Sequence, residues 1–348
     1  MKAALLPAYD KDMNVQLRIE DVPDPRITGP DDVIVRVGAA GLCRTDLHIM
    51  EGIWKPVMDP EDNLLPYIMG HENAGWVEEV GSHVTTLKPG DAVISHPLVT
   101  CGVCTGCRKG EDMYCEHNEF PGLSRNGGFA EHLLTKERAL IKLNENVAPV
   151  SVAPLADAGI TAYRAARRAA EILRPGQYVV VMGVGGLGHI AIQSLRELCG
   201  ARIIAVDLND EALSLARELG AAHAVKTGPN VVEEIHDLTH GGAQVVLDFV
   251  GELGAEQQGW NMLCKGGTDF IIGYGGELRI PTLHMIINEI SVCGSLVGNY
   301  RELSELMELN AEGKVNLHSS EYPLEQINDA IDDLKNRRLV GRGVIVPN

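Results

Sequence analysis

The stretch VVVMGVGGLGHIAI, Val179 to Ile192, decides the fold. An apolar run opens it, and Gly183, Gly185, Gly186 and Gly188 follow in the spacing G-x-G-G-x-G, with Leu187 inside the same loop. A short apolar run bounded by turn residues reads as a buried strand, and GHIAIQSLRELCG, residues 188–200, reads as a helix that stops at its own glycine. Strand, glycine turn and helix in that order form a dinucleotide-binding fingerprint. The first glycine makes the tight turn and the second lets the backbone approach a pyrophosphate. The last allows the helix to pack on the strand, with the phosphates at the helix N-terminus. RIIAVD, residues 202–207, is then a second strand ending on Asp207. A carboxylate there accepts hydrogen bonds from ribose hydroxyls and repels a 2′-phosphate. Two unit charges about 4 Å apart cost about 4 kcal/mol at an effective dielectric near 20. Leu208 and Asn209 bring no compensating cation, so the pattern favours NAD over NADP.

Outward from this point the two directions differ. On the C-terminal side, NDEALSLARELG reads as a helix with acidic residues in its first turn and a glycine stop, and AQVVLDFV, TDFIIG and SVCGSLVG read as further strands. Such alternation predicts a doubly wound parallel sheet. On the N-terminal side, DDVIVRVGAAGLC, NAGWVEEVG, GDAVIS and GGFAEHLL are short strand patterns among scattered Gly and Pro, which suggests a barrel-like β region. PLADAGITAYRAARRAAEIL and YRELSELMELNAEGKV read as helices, and GRGVIVP as a terminal strand.

The chain has 348 residues, enough for two domains, and is 45% apolar with a formal net charge of −18. That charge argues against nucleic acid and against an anionic membrane surface. No run approaches the ~18 apolar residues of a membrane span. MKAALLPAYDKD carries one early Lys and a short apolar patch broken by Pro7, and reads as an opening strand rather than a signal peptide. The expected compartment is the cytoplasm, where disulfides are rare.

Four of the eight cysteines lie within CGVCTGCRKGEDMYC, as Cys101, Cys104, Cys107 and Cys115. The spacing C-x2-C-x2-C-x7-C suits four thiolates at about 2.3 Å from a tetrahedral zinc. An iron–sulfur cluster or two disulfides are the alternatives. Four thiolates close the coordination sphere, so such a zinc holds a lobe, residues 96–116, in shape and performs no chemistry. GLCRTDLH and GHENAG contain two more candidate ligands, Cys43 and His71. Asp157 in PLADAG is the candidate third ligand by composition, with a helix N-cap as its alternative role.

GLCRTDLH, GHENAG, the four-cysteine lobe, GGFAEH, PLADAGITAYRA, GVGGLG, GSLVGN and GRGVIVP occur in the order found in the zinc-dependent alcohol dehydrogenases of the medium-chain dehydrogenase/reductase superfamily, which this chain resembles over essentially its whole length. The resemblance implies a GroES-like catalytic domain, residues 1–157 and 297–348, and a Rossmann NAD-binding domain, residues 158–296. It implies two zinc ions per chain, with Cys43, His71 and Asp157 on the catalytic one. Many members have Cys where Asp157 stands, and this sequence sides with those that have Asp. Glu72 matches a residue near the metal that can exchange onto it, and Asp46 a residue that orients the ligand histidine. Thr45 and His48 match a proton relay. Arg44 and Arg342 match pyrophosphate contacts, and Thr161 a contact on the nicotinamide side.

In this chemistry zinc lowers a bound water's pKa from 15.7 to about 7, on the order of 12 kcal/mol, which no Thr or His supplies alone. The expected reaction is reversible hydride transfer between an alcohol and NAD, giving an aldehyde or ketone. Trp54, Pro97, Leu98 and Leu296 suggest an apolar pocket for aliphatic, cyclic or aromatic alcohols. A polyol or threonine dehydrogenase would share these motifs. A zinc-free quinone or enoyl reductase would lack the Cys–His pair. A zinc-ribbon protein with a nucleotide-sensing domain is the non-enzymatic alternative, and the acidic charge and intact relay weigh against it. The resemblance also implies a homo-oligomer, tetramer or dimer.

Overall fold

The computed structural model describes residues 1–339 and 341–347. They fall into two compact units, one of Met1–Ala158, Asn299–Ala311 and Leu317–Asn348, the other of Gly159–Gly298 and Glu312–Asn316.

The second unit is built on six parallel strands, spatially ordered His223–Lys226, Arg202–Asp207, Tyr178–Met182, Ala243–Asp248, Leu263–Ile271 and Ser291–Gly294. Numbered along the chain, that order is 3-2-1-4-5-6, the doubly wound arrangement. Val179, Val181, Ile203 and Val245 feed one core, and Val180, Met182, Ile204 and Val246 the other. Both faces of these strands are therefore covered, which is why their sequences are apolar without alternation. The strand order reverses between Tyr178–Met182 and Ala243–Asp248, and the glycine loop starts at the carboxyl end of the former. Open α/β sheets bind their ligands at such a switch point.

The first unit is mostly β. Its larger sheet runs Ser319–Pro323, Arg342–Val346, Asp32–Leu42, Glu72–Val80, Ala92–Ser95 and Leu140–Lys142, with His132–Lys136 also paired to Asp32–Leu42. A smaller sheet joins Arg18–Asp21, Lys2–Leu6 and Tyr67–Ile68. Asp32–Leu42 organises the site. Near its end Gly41 pairs with Glu72 on one side and with Val344 on the other. The segments carrying Glu72 and Arg342, 270 residues apart, thus flank one glycine.

The expected helix across PLADAGITAYRAARRAAEIL is interrupted. A 3-10 turn covers Ala153–Ala156, the α-helix spans Ala158–Ile172, and Asp157 stands in the break with φ −123° and ψ −57°. The strand expected across SVCGSLVG ends at Gly294. Among the described residues no helix is long and apolar enough to cross a membrane.

Candidate active site

Cys43 caps the helix Arg44–Met50. Its N–H donates to Asp46 Oδ2 at 2.8 Å, and the Asp46 N–H donates back to the Cys43 carbonyl at 3.0 Å. This turn fixes the fully buried Asp46 with its Oδ1 3.3 Å from His71 Nδ1. His71 precedes the strand Glu72–Val80, and its ring meets Phe120 edge-on at 5.9 Å between centroids. The other imidazole nitrogen, Nε2, lies 3.3 Å from Asp157 Oδ2. Donor atoms of Cys43, His71, Glu72 and Asp157 all lie within 4.8 Å of one another.

The chemistry of this cluster fits a cation. Both His71 nitrogens and Asp157 Oδ1 are buried without a hydrogen-bond partner. Burial alone would strip the imidazolium of its proton, but the carboxylates of Asp46 and Asp157 hold the His71 pKa well above its ordinary value. A metal ion bound among these donors would compete with a proton on His71. Thiolate, imidazole and carboxylate are zinc ligands, and three of them leave a fourth position open. Glu72 is adjacent but engaged elsewhere. Its Oε1 accepts from the Ala158 N–H at 3.1 Å, and its Oε2 pairs with Arg342 Nη2. Burial pushes the Glu72 carboxyl up and Arg342 opposes the shift.

Arg44, Thr45 and His48 follow Cys43 on the same helix, with Arg44 exposed and His48 buried. Thr45 and His48 are three residues apart and so share a helix face. Of the expected pocket residues in this unit, Trp54 caps the short helix Lys55–Met58, while Pro97 and Leu98 are buried in the segment leading to the cysteine lobe. Arg342 is also buried and lies beside Cys43 as well as Glu72, with its Nε unpartnered.

The four lobe cysteines have all their sulfurs within 4.8 Å of one another. Cys101 Sγ is 4.0 Å from Cys107 Sγ and 3.6 Å from Cys115 Sγ. A tetrahedron with bonds of about 2.3 Å has edges of about 3.8 Å, so the thiols stand where one zinc would hold them. All eight cysteines are free, which leaves the disulfide alternative without support. A multi-iron cluster would interpose its own atoms and spread the sulfurs further. Backbone N–H groups of Cys107 and Glu116 lower the Cys104 thiol to about 6, whereas burial pushes Cys115 up to about 12.

Thr161, the glycine loop, Asp207 and Leu296 belong to the second unit. Gly183 has φ +83°, and a Cβ on Gly188 would sit 1.9 Å from the Gly183 carbonyl oxygen, so both positions require glycine. A Cβ on Gly185 would meet nothing within 4 Å, which leaves the loop backbone open on that side for a ligand. Asp207 accepts from the Val184 N–H at 2.6 Å and from the Asn209 N–H at 2.8 Å, tying the second strand's end to the loop. Thr161 is buried in the helix Ala158–Ile172, and Leu296 is 57% exposed.

The structure adds groups that sequence reasoning did not single out. Gly41 is one, legible only once its pairing with Glu72 is known. The N–H of Ala158 is another, and a backbone donor leaves no trace in a sequence. In the second unit Asp248, Glu256 and Asp269 are buried acids with five unpartnered oxygens between them.

A buried thiol–imidazole–carboxylate cluster in a β unit and a glycine loop on a doubly wound sheet define a metal-dependent dehydrogenase. Residues 29–145 match the family model described as the alcohol dehydrogenase GroES-like domain, and residues 186–312 the one described as zinc-binding dehydrogenase. The chain belongs to the zinc-binding alcohol dehydrogenases of the medium-chain dehydrogenase/reductase superfamily. It is similar to the alcohol dehydrogenase of the hyperthermophilic archaeon Aeropyrum pernix, whose crystal structure superposes with a TM-score of 0.95 at 48% identity over 100% of both chains. It is 36% identical to an NAD-dependent alcohol dehydrogenase of Sulfurisphaera tokodaii, over 95% of this chain and 96% of that one. It is 35% identical to a D-arabinose 1-dehydrogenase (NADP(+)) of Saccharolobus solfataricus, over 99% of this chain and 97% of that one.

Proposed function

We propose that the chain oxidises an alcohol to an aldehyde or ketone, reversibly and with NAD, at a zinc held by Cys43, His71 and Asp157, while Cys101, Cys104, Cys107 and Cys115 hold a second, structural zinc. One observation carries this reading: a thiol, an imidazole and a carboxylate from three distant segments converge in a buried cluster. When bound, the catalytic zinc supplies a Lewis acid that brings loss of the alcohol proton into the neutral range, and NAD supplies the hydride acceptor. The protein's part is to hold and orient. Asp46 fixes His71 through Nδ1, which leaves Nε2 as the donor. Thr45 Oγ1 accepts the proton leaving the substrate as it gives up its own hydroxyl proton, which is relayed toward His48 on the same helix face and on to solvent. Gly185 and Gly186, with Leu187, present the loop backbone to the pyrophosphate. Arg44 and the remaining N–H capacity of Arg342 add positive charge.

Asp207 supports NAD over NADP, since no basic residue follows it, although the related arabinose enzyme is named for NADP. Trp54 with the buried Pro97 and Leu98 favours apolar, cyclic or aromatic alcohols over sugars. The chain acts as a cytoplasmic homo-oligomer, dimer or tetramer. Leu283, Ile286 and Ile287 on the helix Thr282–Asn288, each more than 60% exposed, are an apolar face that a second copy would cover. The test is a panel of primary, secondary, cyclic and aromatic alcohols, polyols and aldoses, each with NAD and NADP. NADH formation with apolar alcohols is expected. Turnover confined to sugars with NADP would contradict the reading.

A further inference from the structure

Glu72 lies among the metal-donor residues, yet both its oxygens are taken by groups of the protein. Oε1 accepts the N–H of Ala158, the residue bonded to Asp157, from 86 positions away in the chain. Oε2 is paired with Arg342, which arrives from the C-terminal strand. All three groups are buried, Glu72 at 0%, Arg342 at 4% and Ala158 at 1% exposure. The carboxylate thus ties together three segments, two of which contribute metal donors. Its seat exists because residue 41 is glycine. A Cβ there would lie 2.0 Å from Glu72 Oε2, 2.9 Å from Cβ and 3.0 Å from Cδ, so the Glu72 side chain would have to move from its Cβ outward.

We propose that Glu72 is a positioning residue for Asp157, and that Gly41 is the position that lets it act. Resting on the zinc site proposed above, the argument concerns only how the chain places its own donors. Asp157 stands between a 3-10 turn and a helix with φ −123° and ψ −57°, outside the regular backbone geometry of either. The Glu72–Ala158 hydrogen bond supplies a fixed point one residue away, and Arg342 holds the other carboxylate oxygen. Displacing Glu72 by a methyl group on residue 41 frees the Ala158 N–H and lets Asp157 drift.

The test compares Glu72→Gln, Gly41→Ala, Glu72→Ala, the Gly41→Ala/Glu72→Ala double variant, Arg342→Lys and Asp157→Asn with the unaltered full-length holoenzyme. Zinc retained per chain is measured against a graded chelator, and the visible spectrum is recorded after cobalt replaces the labile zinc. The lobe zinc serves as an internal record of folding. Glu72→Gln and Gly41→Ala are expected to weaken the labile site about 10- to 100-fold. Their cobalt bands should shift, since a ligand that moves alters the ligand field while a general loss of stability does not. The double variant escapes the 2.0 Å contact with the carboxylate but keeps the 2.9 Å contact with the Cβ of residue 72, so adding Gly41→Ala to Glu72→Ala should cost less metal affinity than adding it to the unaltered chain. Unchanged metal affinity and an unchanged cobalt spectrum in Glu72→Gln and Gly41→Ala, with Asp157→Asn losing the metal, would overturn the inference and leave the zinc site standing. A single zinc per chain in the unaltered active enzyme would instead overturn the site itself. If Glu72→Gln does not fold, Gly41→Ala and Arg342→Lys decide by the same two readouts.

Discussion

The two donor clusters of the first unit contrast in how they are built. The cysteine lobe draws four identical ligands from fifteen consecutive residues, Cys101 to Cys115. The other cluster draws a thiol, an imidazole and a carboxylate from a helix cap, a strand start and a helix break far apart in the chain. In the lobe, local chain geometry nearly suffices, and all four positions are filled by protein. In the other, the whole unit must fold before the donors meet, and the neighbouring Glu72 carboxylate is bonded to Arg342 and Ala158. The three-element donor cluster is thus the product of long-range structure, while the four-thiol cluster is the product of spacing.

Breaking the open cluster should have the largest effect. Asp157→Ala is expected to lower kcat/KM at least about 1,000-fold, on the order of 4 kcal/mol, while lobe zinc and thermal stability are kept. Kinetics beside metal analysis checks both halves, and near-normal turnover would erase the functional side of the contrast. Cys104→Ser should do the reverse. It is expected to cost about 5 kcal/mol of stability or more, read as a melting temperature lower by about 10 °C or more, with activity falling only as the fold is lost. A variant equally stable but inactive would make the lobe chemical after all.

The contrast between supported and unsupported charge extends to the buried acids. Burial, with Asp248 adding to it, pushes the Asp269 carboxyl up to about 8, and neither of its oxygens has a partner. Its folded pKa lies above the unfolded value near 3.9, so the folded state holds the proton more tightly. Stability from this group is therefore lost as pH rises from about 4 through about 8. Asp269→Asn should flatten that limb and gain a few kcal/mol at pH 8, measured by denaturant titration at several pH values. Asp32 is the smaller, opposite case. Burial would raise its carboxyl, but Lys136 and the N–H groups of Thr28 and Gly29 hold it down to about 2. Its contribution, about 2 kcal/mol, is present above pH 4 and lost as pH falls through about 2. Lys136→Met should lower stability across the neutral range by up to that amount, leave it unchanged below about pH 2, and so flatten the acid limb.

Much of this was legible in the sequence for physical reasons. The parallel sheet shows itself because strands buried on both faces must be apolar throughout, as in YVVVM. The glycine loop shows itself because Gly183 and Gly188 sit where a side chain cannot. The lobe is spacing alone. Cys43 and His71 are each weak by themselves, and Asp157 more so, because only the register of the sheet and the interruption after Ala156 bring them together. The strand Ser319–Pro323 is invisible to periodicity, since four of its five side chains are exposed and none is fully buried. Gly41 acquires meaning only from what lies across from it, and the Ala158 N–H from its partner alone.

The most direct measurement is anomalous scattering at the zinc absorption edge, on crystals grown from enzyme that turns over alcohol. Two peaks per chain are predicted, one among the sulfurs of Cys101, Cys104, Cys107 and Cys115, the other among Cys43, His71 and Asp157. A fully active preparation with density only at the lobe would contradict the account.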